Sequence, residues 1–364
     1  MLNSISIKNF RCFDNFRIDG FKNINLIGGL NNSGKTALLE TLLLSVYPSP
    51  KTISLLRQFR NENNELIEKA TEKIWNNFFY NQEKNNTIQI VSKNTDQQIS
   101  TLEIHTTKDI ETFLKNITSN TINAKEFSNL LNSKFSDTLS LNLKGNTQQQ
   151  DFDYFLLPNK EEKNIGTMGN YPKGFVSPPF LHAALRLDDS QLSNLYSLAK
   201  ENKKVQQLNE MLHLLDNTII GSEIDAPGGE PVIKILLEND QSFPLAMFGD
   251  AIRKVTELML ILLNTSNGIF FIDEIENGIH FTKHKDLWNK LFQVIDKNDI
   301  QIFATSHSAE MIRAFNEVAY EHYPSQAMYF EMSRSPKTQQ IIVNSMDMEM
   351  LNYQILTHKT YRGE

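Results

Sequence analysis

The sequence predicts an α/β fold, with a central, mostly parallel sheet flanked by helices, antiparallel strands at the N-terminus and an α+β insertion. Two features of the 364-residue chain carry this prediction. Short apolar runs at 24–27, 269–272 and 301–305 each end in glycine or polar residues, as buried strands do before a loop. Helical periodicity at 251–263 and 286–295 flanks the second run, and this alternation is typical of a parallel sheet covered on both faces.

The N-terminal segment is predicted to form three strands, a loop and a helix. Ile5 and Ile7 mark the first strand, 16–18 the second, and 24–27 the third. The helix covers 36–46, where leucine and valine side chains share one broad face. Prolines follow directly, and they are expected to end the helix.

The middle of the chain, 51–182, is predicted to be an insertion or accessory region because its composition changes. Asn, Gln, Lys and Thr dominate it, an alternating pattern near 87 predicts a hairpin, and 145–151 predicts a polar loop. We therefore expect a discontinuous core domain made of 1–50 and 183–364.

Composition excludes several classes of protein. Hydrophobic residues make up 40% and charged residues 22% of the chain, an ordinary globular balance. The net charge of −7 provides no strongly basic field, so nucleic-acid binding would need a local patch. The single cysteine, Cys12, cannot form an intrachain disulfide, and no apolar stretch approaches the ~20 residues of a membrane helix. These features favour a soluble, cytoplasmic protein without a membrane partner.

The strongest motif is the run from Gly29 to Thr36, which matches the eight-residue pattern of a phosphate-binding loop. Glycines let the backbone curl so that several N–H groups face one anion. Lys35 is expected to reach the outer phosphates of ATP, and Thr36 to ligate Mg²⁺. An apolar strand before the loop and a helix after it favour this function over a simple glycine-rich turn. The residues predicted to bind the nucleotide here are Gly29, Asn31, Asn32, Ser33, Gly34, Lys35, Thr36 and Ala37.

Acidic residues that follow the apolar run 269–272 predict the hydrolytic half of the site. Asp273 is expected to hold Mg²⁺ together with Thr36, and Glu274 to orient and deprotonate the attacking water. His307 follows the next strand and is expected to contact the terminal phosphate. Lys35, Glu274 and His307 are therefore the predicted catalytic residues.

Four segments in this order resemble the motifs of ABC-type P-loop ATPases in the RecF, SMC and OLD (overcoming lysogenisation defect) group. They are NFRCF at 9–13, the loop at 29–36, IDEIENGIH at 272–280, and TSHS at 305–308. The chain is most similar to bacterial OLD-like ATPases. The similarity covers both predicted parts of the core domain and implies that this core is an ABC-type ATPase head.

The resemblance also implies residues at a dimer interface, because such heads sandwich ATP between two copies. Arg11 would lie beside the nucleotide, and 276–280 would meet the partner subunit. Gly249 and Asp250 would open the helix that faces the outer phosphate bound by the other copy. Phe248 departs from the serine usual in that segment, which leaves the strength of ATP-driven dimerisation open.

OLD proteins usually carry a C-terminal Toprim nuclease domain, for which the sequence after His307 is too short. Asp347 and Glu349 are expected to lie at a turn into a last helix rather than to hold a metal. The resemblance thus implies a regulatory ATPase. Its ATP-driven homodimerisation would control a separate effector, such as a Toprim-like nuclease or a toxin, in anti-phage defence or a toxin system.

Two other functions stay open at this point. A RecF-like DNA-repair ATPase would need a basic surface, for which Lys200, Lys203 and Lys204 form the densest candidate cluster. A nucleotide sensor with little turnover would fit the altered segment at Phe248, although Glu274 argues against it.

Overall fold

The computed structural model describes residues 1–62, 67, 71–108, 139–147, 150–160, 162–172, 179–183, 186–265 and 268–357. The chain forms two compact units. Unit 1 contains Met1–Leu2, Gly20–Leu39 and Pro179–Glu364, and unit 2 contains Asn3–Asp19 and Glu40–Pro178.

A six-stranded sheet forms the centre of unit 1 and confirms the predicted α/β fold. Five strands run parallel, and only the edge strand that closes the C-terminal hairpin is antiparallel among the described strands of this sheet. In spatial order they are β16 (Ile341–Met346), β15 (Ala327–Arg334), β3 (Ile24–Gly29), β14 (Gln301–Thr305), β13 (Ile269–Ile272) and β9 (Phe180–Leu181). The central strands are continuous apolar runs because both of their faces are buried.

Helices and a small sheet surround these strands. The helices are the first residues of α1 (Lys35–Val46), up to Leu39, and α3 (Asp189–Glu201), α4 (Val205–Leu215), α5 (Asp250–Asn264), α6 (His284–Asn298), α7 (Ala309–His322) and α8 (Met348–Leu356). The three-stranded antiparallel sheet contains β10 (Ile219–Asp225), β11 (Val232–Leu237) and β12 (Ser242–Pro244). The helix periodicity seen in the sequence thus corresponds to α5 and α6.

Aromatic and aliphatic side chains from several helices form the core of unit 1. Trp288 on α6 packs edge-on against Phe315 of α7, with 5.0 Å between the ring centroids. Leu258 and Met259 of α5 are fully buried in the same cluster. Burying side chains of this size contributes about 1.5–3 kcal/mol each, which fixes the helices against the sheet that carries the site.

Unit 2 contains a seven-stranded sheet. Its strands, in spatial order, are β2 (Phe13–Asp19), β1 (Leu2–Phe10), β4 (Ile88–Asn94), β5 (Ile99–Thr107), β6 (Ser140–Asn146), β7 (Asp151–Asn159) and β8 (Asn164–Asn170). The hairpin predicted near 87 is the pair β4–β5, and the sheet continues beyond it as a meander.

The first helix ends before the prolines, as predicted, but the structure shortens one predicted loop and adds a helix that the sequence did not predict. The expected loop at 145–151 is shorter, because Gly145 belongs to β6, where a Cβ would lie 1.9 Å from the carbonyl oxygen of Thr101. The glycine therefore marks a close approach of two strands and not a turn. Pro50 does not only follow α1; it opens a further helix, α2 (Pro50–Phe59), which Ser49 caps.

The predicted boundaries of the core domain and of the insertion stay a prediction, and parts of 51–182 lie outside the described residues. Among the residues that the structure describes, no helix combines the length and apolarity needed to cross a membrane.

Candidate active site

The predicted phosphate-binding loop connects β3 to α1 through left-handed backbone conformations. The φ angle is +141° at Gly29, +63° at Asn32 and +94° at Gly34. At Gly29 a side chain is also excluded by space, since a Cβ would lie 2.1 Å from the carbonyl oxygen of Met332 on β15. Glycine and asparagine adopt positive φ at the lowest cost, so these residue types allow the loop to curl.

The Lys35 side chain lies inside this loop, with only 8% of the residue exposed. Its ammonium group donates hydrogen bonds to the carbonyl oxygens of Gly29 and Leu30 at 2.8 and 2.9 Å. Burial lowers the pKa of Lys35, and nearby carboxylates, Glu276 first among them, oppose that shift. A cation held this way can exchange its carbonyl partners for phosphate oxygens.

The acidic strand meets the phosphate-binding loop through Asp273. The Thr36 hydroxyl lies 3.2 Å from both carboxylate oxygens of Asp273, although 237 positions separate the two residues. The Thr305 hydroxyl, from the neighbouring strand β14, donates to the same carboxylate at 2.7 Å. Burial raises the pKa of Asp273, and the hydrogen bond from Thr305 opposes the rise. The two predicted metal ligands therefore lie in direct contact.

Glu274 adopts a left-handed conformation with φ of +50°. Its backbone N–H donates to the Thr305 hydroxyl at 2.8 Å, and its carboxylate accepts a hydrogen bond from the Asn277 side chain at 2.6 Å. Such a conformation in a residue other than glycine costs on the order of 1–3 kcal/mol and persists where the surroundings hold it. These contacts fix the carboxylate beside Asp273.

His307 is held by a carboxylate that the sequence did not assign to the site. Glu276 Oε1 accepts a hydrogen bond from the His307 backbone N–H at 2.7 Å and lies 2.9 Å from Nδ1. Among the described residues, Glu276 Oε2 is buried without a hydrogen-bond partner. A proton on Nδ1, donated to Glu276, leaves Nε2 to meet a ligand, and nearly half of the His307 side chain is exposed.

A second histidine, His182, lies at the end of the edge strand β9. Its Nε2 is 3.8 Å from Asp273 Oδ2. A cavity of about 250 Å³ lies alongside, and its lining includes His182, Asp250, Lys254 and Asn277. Several groups that can bond to an anion or a metal-bound water thus border the acidic residues.

Arg11 belongs to unit 2, where its surroundings hold the guanidinium in place. Nε donates to Glu40 at 2.8 Å and Nη1 to the carbonyl oxygen of Asn77 at 2.7 Å. The group also stacks 4.6 Å from the centroid of the Phe78 ring. Glu40 is shared with Arg60 at 2.7 Å. The predicted position of Arg11 beside a nucleotide stays a prediction.

The segment that would face a partner begins α5. Gly249 precedes the helix as its N-cap, and Asp250 is in the first turn; both residues are exposed. Beyond its own chain neighbours, no described atom comes within 4 Å of a Cβ built on Gly249, whereas a Cβ built on Gly278 would lie 3.6 Å from the backbone nitrogen of Ala251 in the first turn. Phe248 packs partly buried against the core of unit 1. The Phe248 ring thus packs against the core, at the position where a serine hydroxyl is usual in similar proteins.

The remaining loop residues fit a bound triphosphate with magnesium. Asn31 and Asn32 are exposed, whereas Ala37 is buried on α1. Within the described part of the chain, the Ser33 hydroxyl is buried without a hydrogen-bond partner, which leaves it available to an anion. Thr36 and Asp273 supply hard oxygen ligands of the kind that Mg²⁺ prefers.

Sequence reasoning missed the roles of Thr305, Glu276, Asn277 and His182 at this site. The first three lie inside motifs that the sequence did identify, and only their side-chain directions were unknown. His182 gave no signal, because the short strand before it pairs with β13 across about 90 positions of the chain.

Two groups outside the site also have defined contacts. Asp347 caps α8 by accepting from the backbone N–H of Met350 at 2.8 Å, as expected for a turn into the last helix. Lys204 donates to the carbonyl oxygen of Leu263 at 2.6 Å. One of the three lysines of the candidate DNA-binding cluster is therefore engaged within the fold.

Comparison with known proteins agrees with this architecture. A family model described as an AAA domain matches residues 4–258. An ATP/GTP phosphatase of Helicobacter pylori (strain ATCC 700392 / 26695) is 26% identical over 353 residues, covering 88% of this chain and 89% of that protein. The Smc head domain with an extended coiled coil, bound to the C-terminal domain of ScpA derived from Pyrococcus furiosus, matches with a TM-score of 0.52. The identity is 9%, and the match covers 98% of each chain, so it bears on the fold alone.

Proposed function

We propose that this chain, a member of the AAA domain family, binds ATP with Mg²⁺ through the loop from Gly29 to Thr36. As a P-loop ATPase of the SMC/RecF type, it would use Glu274 as the general base of hydrolysis. The observation that carries the proposal is the contact between Thr36 and Asp273 at 3.2 Å. It brings the phosphate-binding loop and the acidic strand to one point, as hydrolysis of a metal-bound triphosphate requires.

The proposed mechanism assigns one role to each group. Lys35 stabilises negative charge on the outer phosphates, and the loop N–H groups orient them. Thr36 and Asp273 would hold Mg²⁺, which supplies charge neutralisation when it is bound. Glu274, kept in position by Thr305 and Asn277, accepts the proton of the attacking water.

His307 completes the proposed site. With Nδ1 directed to Glu276, an N–H at Nε2 would donate a hydrogen bond to an oxygen of the terminal phosphate. Its contact would be lost with the departing phosphate, which makes His307 a sensor of hydrolysis as well as a catalytic group.

The test is ATP turnover by Glu274→Gln, which keeps the shape of the side chain and removes the base. We expect turnover to fall about 10²–10⁴-fold while ATP binding is retained. Glu349→Gln is the matched control, because Glu349 is exposed on α8 and should leave the rate unchanged. An equal rate in Glu274→Gln and wild type would refute the assignment of the base.

We also propose that two copies close on ATP in the manner of OLD-like ATPases. The N-terminus of α5 at the exposed Gly249 would face the outer phosphate held by the other copy, since a helix N-terminus attracts an anion. The same Glu274→Gln variant tests this step because it would hold ATP unhydrolysed. Its molar mass in solution should double with ATP and Mg²⁺; a monomer under these conditions would contradict dimerisation and favour a nucleotide sensor.

The cycle of closing and opening would control a separate effector, such as a Toprim-like nuclease or a toxin, in anti-phage defence. Co-expression with the products of neighbouring genes, followed by purification with and without ATP, tests this role. A nuclease or toxin that binds only one nucleotide state would support it. Recovery of DNA instead, with an affinity that falls steeply with salt, would redirect the proposal to RecF-like repair.

A further inference from the structure

Lys254 is a buried cation on α5, one turn after the helix begins. Only 7% of the residue is exposed. Its ammonium group donates a hydrogen bond of 2.5 Å to the backbone carbonyl oxygen of Glu274. A helix that starts at the proposed dimer interface therefore contacts the backbone of the proposed general base in the same copy.

The surroundings of Lys254 are unusually charged for a buried group. The carboxylates of Glu276, Glu274 and Asp273 stabilise the ammonium form, whereas Arg186 opposes it. Burial is the largest effect and lowers the pKa of Lys254 to about 8. The cavity beside it is also lined by charged or titratable side chains, namely His182, Arg186, Asp250 and Glu257. An ammonium group is costly to bury, so this position demands a compensating contact.

The hydrogen bond that compensates the buried ammonium group of Lys254 is to Glu274, whose backbone is strained. Glu274 has φ of +50°, and four hydrogen bonds hold it. Its N–H donates to Thr305, its carboxylate accepts from the Asn277 side chain, and its carbonyl oxygen accepts from both the Asn277 backbone N–H, at 3.0 Å, and Lys254. The first two partners belong to the sheet edge and to the loop itself. Among these four bonds, only the one from Lys254 comes from a separate helix.

We propose that Lys254 is a positioning residue for the reaction: it holds the Glu274 carbonyl, fixes the strained backbone, and thereby aims the carboxylate at the attacking water. The inference rests on the proposed role of Glu274 as the base. It adds a physical link between α5 and the base, so that a displacement of α5 on closure of the dimer would also shift the Glu274 carboxylate. Close tolerance is required, because a misplacement of about 1 Å at a reacting group can reduce the rate about 10²-fold.

The experiment compares Lys254→Met with wild type in steady-state ATP hydrolysis, ATP binding and thermal unfolding. Methionine retains most of the stem and removes the hydrogen-bond donor. We expect kcat to fall about 10²-fold with little change in the Kd for ATP, because the hydrogen bond of Lys254 is to the backbone of the base and not to the phosphate-binding loop. Lys254→Arg restores a cationic donor and should recover part of the lost kcat.

Lys204→Met is the matched control, since Lys204 also donates an ammonium hydrogen bond to a backbone carbonyl, that of Leu263, away from the site. It should keep the wild-type kcat. Equal kcat in Lys254→Met and Lys204→Met would overturn the inference, as would loss of folding or of ATP binding in Lys254→Met. Glu274→Gln separates the two proposals: if that variant hydrolyses ATP normally, the base assignment fails, whereas its collapse with a normal Lys254→Met refutes only the positioning role.

Discussion

Replacing Gly29 by alanine tests whether the loop geometry controls catalysis. The φ of +141° at Gly29 lies in a region that alanine rarely adopts, which costs on the order of 1–3 kcal/mol. The added Cβ would also lie 2.1 Å from the backbone oxygen of Met332 and 2.8 Å from the Ser33 hydroxyl oxygen. Since Met332 contributes backbone, no side-chain rotation can relieve that contact, and the loop itself must move.

The required movement sets the expected size of the effect. Carbon and oxygen atoms that are not bonded need about 3 Å or more, so the loop must shift by roughly 1 Å. A shift of this size in a phosphate site is expected to reduce turnover about 10²-fold. The backbone strain alone should lower the melting temperature by about 1–4 °C, because the unfolding entropy of a chain of this length is large.

Gly229→Ala is the control that separates strain from collision. Gly229 also has positive φ, +94°, but no described atom lies within 4 Å of the position that a Cβ would take there. Both variants should lose thermal stability, and only Gly29→Ala should lose ATP turnover and ATP binding. Turnover in Gly29→Ala as high as in Gly229→Ala would show that the phosphate-binding loop does not depend on this geometry.

The remaining predictions concern the acidic groups. Because burial raises the pKa of Asp273, ionising it destabilises the folded protein as pH rises through that pKa. Asp273→Asn should therefore have a higher melting temperature than wild type at pH 7 without Mg²⁺, and this difference in melting temperature should shrink in acid. Its turnover should fall at least 10–100-fold. A difference in melting temperature that does not change with pH would contradict the titration of Asp273. Glu276→Ala should lower turnover about 10-fold by releasing His307, and adding it to His307→Ala should cost nothing further. Multiplicative losses in the double variant would mean that Glu276 acts independently of His307.

The sequence predicted secondary structure well where it depends on neighbouring residues. The run before Gly29 and the run before Asp273 predict strands β3 and β13, since continuous apolar stretches of this length fit a buried parallel sheet. Side-chain packing was less predictable: the sequence identified Phe248 only as a departure from the usual serine, and the structure shows it partly buried against the core. Glycine and proline were ambiguous as signals of turns, because Gly145 lies within a strand and Pro50 begins a helix.

By itself, the sequence determined the fold class and the residue types of the loop and acidic motifs. Both depend on neighbouring positions, because periodicity predicts strands and helices and the two motifs are short, continuous runs. Only the tertiary structure decided that Thr36 touches Asp273, that Glu276 holds His307, and that Lys254 reaches the Glu274 carbonyl. Those contacts join residues from different strands and helices. Their distances depend on how the helices pack against the sheet and which way each side chain turns, and no local pattern of residues encodes either.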